Sequence, residues 1–142
     1  MRARHLLFVF ALALVLVSAP LQCVFATKEA SRVVLLNSDN FDEFVHGPMR
    51  HTFVLYCVKW SRQCEDWRKT WDRLSMSQSS KELRDVFTAA YVDGDKYPDI
   101  IKKMKVKGFP TATFYTPIYP EGMEYSGVRE PFLLDSFVFQ FS

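Results

Sequence analysis

Cys64 and Ser61 hold the chemistry that this sequence puts in doubt. They bracket Ser61-Arg62-Gln63-Cys64, which follows the apolar run Thr52-Phe53-Val54-Leu55-Tyr56-Cys57-Val58 and opens a helix-patterned stretch. Two cysteines separated by two residues at a helix N-terminus make a dithiol redox site. The first is held as thiolate by the helix terminus, and the second resolves the mixed disulfide. Here the second sulfur is present and a serine hydroxyl stands in the first place. A hydroxyl forms no disulfide and has no thiolate character, so the segment reads as a redox scaffold without its attacking sulfur.

The remaining candidates are fewer. Cys57 lies seven positions before Cys64, one in a strand pattern and the other in a helix pattern. A bridge needs a narrow approach of the two backbones, so the pair is expected to stay unbonded. Cys64 is then either a buried inert thiol or a monothiol that forms mixed disulfides. His46 and His51 show no ligand spacing with either sulfur, so no metal site is expected. No cofactor motif is present either.

These residues must be positioned by flanking elements. Arg32 to Leu36 reads as a strand, and Asn37 to Asn40 as turn and cap residues. Phe41, Phe44 and Val45 recur at helical spacing until Gly47-Pro48. Thr52 to Val58 reads as a strand buried on both faces. Ser61 to about Leu74 is helix, with Trp67 and Trp71 on one face. Ser75 to Ser80 is weakly specified, and Lys81 to Phe87 resumes the helix. Ala89 to Asp93 is a strand, Pro98 to Lys105 a short helix and Thr111 to Tyr115 a strand. Pro117 to Gly122 turns back into Met123 to Ser126, and Glu130 to Phe141 is the last helix. The order β-α-β-α-β-α-β-β-α predicts an α/β fold, one mixed central sheet flanked by helices on both faces. Leu134, Phe137, Val138 and Phe141 form a stripe for the core. Phe139 falls off it and leaves room for a partner-binding patch on that helix.

The ends and the charge bound the class. Arg2, Arg4 and His5 precede the uncharged apolar run Leu6 to Val17, and Val24 and Ala26 fit a cleavage site. Residues 1–26 read as a secretory signal peptide, too short in its apolar run to span a membrane comfortably. Residues 27–142 then form one domain without membrane attachment. The net charge of +2 disappears with Arg2 and Arg4, which gives no reason to expect a nucleic-acid partner. Lys102, Lys103, Lys105 and Lys107 read as a solvated helix end, with Asp95 and Asp99 just before them.

The chain from Thr27 on resembles a thioredoxin-fold domain of the protein disulfide isomerase family. Phe53 to Trp60 is similar to the central strand and tryptophan that precede the redox pair, and Ser61 to Cys64 falls on its Cys-x-x-Cys motif. Val92-Asp93 with Tyr97-Pro98, Val106-Lys107-Gly108-Phe109-Pro110-Thr111, and Tyr125-Ser126-Gly127-Val128-Arg129 resemble later landmarks in the correct order. The resemblance implies a cis Pro110 facing the motif, with Trp60, Phe109 and Pro110 contacting extended or unfolded polypeptide. It implies that Arg129 can approach Cys64 and lower its pKa. It also marks departures: Ser61 for the nucleophilic cysteine, Leu55 for a buried acid, Tyr91 for the lysine that pairs with it, and Lys69 for a helix-kinking proline. The expected function is assistance of protein folding by client binding, in the endoplasmic reticulum lumen or after secretion, with dithiol activity lost or strongly reduced. The alternatives are a monothiol oxidoreductase acting through Cys64 and a module docking a partner through its C-terminal helix.

Overall fold

The computed structural model describes residues 30–142; the expected signal peptide lies outside them. Five strands form one mixed sheet in the order β1-β3-β2-β4-β5. β1 (Val34–Leu36), β3 (Phe87–Asp93) and β2 (His51–Cys57) run parallel, and β4 (Thr111–Tyr115) and β5 (Met123–Glu124) add antiparallel pairs. β2 therefore sits in the middle, as its apolar run predicts. Leu55 lies opposite Tyr91 on β3 and Ala112 on β4.

The alternation of β2 divides the core. Phe53, Leu55 and Cys57 face α2 (Arg62–Leu74) and α5 (Pro131–Phe141), together with Trp71, Leu74, Leu134 and Val138. Val54 and Tyr56 face α1 (Phe41–His46) and α4 (Pro98–Lys103), with Phe41, Val45 and Ile100. Side chains buried on both faces contribute roughly 1.5–3 kcal/mol each, so β2 anchors both layers. Two polar groups carried into the core find partners there. Trp71 Nε1 donates to the Ala90 carbonyl at 2.8 Å, and the Tyr56 and Tyr115 hydroxyls pair at 2.8 Å.

Most element bounds shift from the sequence reading by one or two residues, and the region between α2 and β3 departs from it further. The helix expected from Lys81 to Phe87 is instead α3 (Gln78–Glu82), started by Ser77, whose Oγ accepts from the Ser80 N–H. Ser79 ties α3 to α5: its N–H donates to Asp135 Oδ1 and its hydroxyl to the Asp135 carbonyl, both at 3.1 Å. Phe87 already belongs to β3, because it pairs with His51. On α5, Leu134 and Val138 are buried while Phe132 and Phe139 are exposed.

Candidate functional site

β2 delivers the site through a four-residue connection, residues 58–61, into α2. Ser61 is the N-cap of α2 in an extended conformation, and its Oγ accepts from the Cys64 N–H at 3.3 Å. Its hydroxyl thus satisfies one of the orphan donors of the first turn. Among the described residues, no histidine or carboxylate hydrogen-bonds that hydroxyl, so nothing activates it as a nucleophile.

The expectation that Cys57 and Cys64 stay unbonded is corrected by the structure: they form a disulfide, with Cα atoms 5.5 Å apart. The reason is the face that Cys57 takes. It continues the Phe53, Leu55 series toward α2, and the short connection folds the first turn of α2 back over the end of β2. Cys64 therefore arrives within bridging range. Both cysteines are buried, and the Val58 N–H lies 3.4 Å from Cys64 Sγ. Cys64 is consequently not the lone thiol, inert or reactive, that the sequence suggested.

Arg129 is placed against a carboxylate. Its Nη1 lies 3.5 Å from Asp66 Oδ2 on α2, and a bonded sulfur has no thiol pKa to tune. Metal-ligating side chains do not gather: among the described residues no group of three or more His, Cys, Asp or Glu could hold an ion.

The remaining expected residues do come together. The peptide bond between Phe109 and Pro110 is cis. The Trp60 ring, three-quarters exposed, stands perpendicular to Phe109 with centroids 6.4 Å apart. Lys59 fixes the connection, its N–H donating to Asp95 Oδ2 at 2.8 Å. Thr111 Oγ1 donates to the Gly108 carbonyl at 2.7 Å and closes the turn before β4. Among the described residues, neither the N–H nor the C=O of Phe109 has an intramolecular hydrogen-bond partner. An extended chain laid against Phe109 could satisfy both.

Gly94 is the part of the site that sequence reasoning missed. Its N–H donates to the Cys57 carbonyl at 2.7 Å, and a Cβ there would meet the Phe109 ring at 3.0 Å. The only sequence signal is a glycine directly after a strand, where close backbone approach is common.

This fold and turn define a thioredoxin-type domain. The chain belongs to the thioredoxin family, whose sequence profile matches residues 32–138. It is similar to protein disulfide isomerase-like 2-2 of Oryza sativa subsp. japonica, 33% identical over 108 residues, 76% of this chain and 28% of that protein. It is 31% identical over 108 residues to the probable protein disulfide-isomerase A6 of Medicago sativa, again 76% of this chain and 28% of the relative. Among solved structures, human ERp44 form I superimposes with a TM-score of 0.70 at 23% identity, covering 78% of this chain and 29% of that one. The chain thus spans under a third of the length of these relatives.

Proposed function

We propose that this domain assists protein folding in the secretory pathway by holding extended polypeptide against Trp60, Phe109 and Pro110, without dithiol exchange. The motif position lacks its first sulfur, and the second is occupied by Cys57. What remains at this face is an aromatic corner beside an unpaired stretch of backbone. The observation that carries the reading is Phe109: its backbone groups are open while its ring is packed against Trp60. Relatives named as protein disulfide isomerases support a role in folding. The resemblance of residues 1–26 to a signal peptide supports the endoplasmic reticulum lumen or secretion as its location. Exchange at Cys64 would need a client thiolate to attack its buried Sγ and release Cys57 as the thiolate.

The test is binding of a labelled, unfolded polypeptide whose cysteines are carboxymethylated, followed by fluorescence anisotropy. Exposed aromatic anchors dominate such contacts. Trp60→Ala and Phe109→Ala should each weaken binding about tenfold, a loss of about 1.4 kcal/mol. Unchanged affinity in both variants refutes the reading.

A further inference from the structure

A groove lies at the β1 edge of the sheet, and Lys59, the neighbour of Trp60 in the chain, is part of its wall. A cavity of ≈ 360 Å³ is lined by Leu35, Lys59, Arg68, Tyr91, Asp93 and Lys96, among others. A second of ≈ 220 Å³ shares Leu35, Arg68 and Tyr91 with it and reaches Asp72. The first has the size of an ordinary small binding pocket.

Its chemistry is one-sided. Three cations line it against a single carboxylate, and that carboxylate is taken: Lys59 Nζ lies 3.7 Å from Asp93 Oδ2. Arg68 stacks over the Tyr91 ring at 5.0 Å, and Lys96 lies over Tyr97 at 5.4 Å. Among the described residues, neither has a carboxylate partner. A guanidinium already ordered on an aromatic face loses little further freedom when it grips a carboxylate. Leu35, two-thirds exposed, supplies an apolar wall on the edge strand. The Leu35 carbonyl on that edge accepts from Asn40 Nδ2 at 3.2 Å. The charged and aromatic side chains of the groove offer the recognition.

We propose that this groove selects an acidic residue in the polypeptide held at Trp60, the carboxylate resting on Arg68 and Lys96 and an apolar neighbour on Leu35. Lys59, which lines the groove, directly precedes Trp60, so one residue of the chain separates the groove from the aromatic corner. In an extended chain, residues two apart point the same way. The preferred segment therefore alternates an acidic residue with an apolar one at that spacing. This inference rests on the client-binding reading of Trp60.

The experiment compares three labelled, cysteine-free peptides identical except for Glu, Gln or Lys at the alternate position. Each is titrated against the wild-type domain and against Arg68→Met, Lys96→Met and Trp60→Ala, all checked for folding by circular dichroism. The Glu peptide should bind about tenfold tighter than the Gln peptide, and the Lys peptide weakest. Arg68→Met should erase most of the Glu preference; Lys96→Met should do so in part. Trp60→Ala should weaken all three. Equal affinity for Glu and Gln peptides, both lost in Trp60→Ala, overturns the groove and leaves client binding standing. A Glu preference that survives Arg68→Met also overturns it, because the acid is then read elsewhere. Failure of every peptide to bind the wild type overturns both.

Discussion

Ser61 is a serine placed where its oxygen is useful as a cap. Ser61→Ala should lower unfolding stability by about 1 kcal/mol, the usual cost of losing an N-cap, read as a lower urea midpoint. An unchanged midpoint contradicts the capping role. Ser61→Cys asks a different question. A thiol there sits at a helix N-terminus, which favours the thiolate. That thiolate should attack Cys64 Sγ, form a new disulfide and release Cys57 as a thiolate. Peptide mapping after equilibration should then find Cys64 joined to position 61 in part of the population. Finding only the Cys57–Cys64 pairing removes the motif's chemical anchor. At the far end of β2, burial pushes the His51 imidazole below its usual pKa of 6.5, and its Nδ1 is buried without a partner among the described residues. The folded state then holds fewer protons than the unfolded chain. Stability from this site is complete above pH 6.5 and declines as pH falls below it. His51→Gln should flatten the melting temperature between pH 7.5 and 5, and a slope unchanged by the variant assigns the effect to other groups.

At the scale of elements, the β2–α2 connection matters most, because the bridge staples it. Closing so short a loop restricts the unfolded chain by about 2.5 kcal/mol in the chain-entropy account, given the separation of seven residues. The double variant Cys57→Ala/Cys64→Ala should be less stable by about that amount while keeping its fold. Equal stability in urea contradicts a structural bridge. Much of this element was legible beforehand: β4 falls on Thr111–Tyr115 as read, and α2 starts after Ser61 and ends at Leu74. The bridge was not, since the distance between two cysteines depends on the path of residues 58–61, which no periodicity encodes. Yet the parity of Phe53, Leu55 and Cys57 did carry the signal, as it puts Cys57 on the face that α2 covers. The start of α3 was obscured because Ser75, Ser77, Ser79 and Ser80 could each cap a helix, and tertiary contacts with Asp135 select Ser77. The pairing of Arg129 with Asp66 on α2 was not legible, because no spacing in the sequence marks that contact.

At the scale of the whole molecule, a two-layered core around β2 carries the Trp60–Phe109 corner, and the Arg68 groove lies at the β1 edge of the same sheet. The fold class was readable from element order and landmarks because those are local patterns. The groove was not, because it joins residues from β1, α2, β3 and the loop after β3. If residues 1–26 are a leader, N-terminal sequencing of the protein isolated from a eukaryotic secretory host should begin at Thr27; a start at Met1 contradicts that reading. The central claim is that this face binds clients without forming a bond to them. It is tested by mixing the domain with an unfolded polypeptide that keeps free cysteines, quenching with an alkylating agent, and resolving the mixture on a non-reducing denaturing gel alongside binding titrations. The account predicts that no reductant-sensitive adduct forms and that Cys57→Ala/Cys64→Ala binds with the wild-type dissociation constant. A disulfide-linked adduct through Cys64, or loss of binding in the double variant, would contradict it.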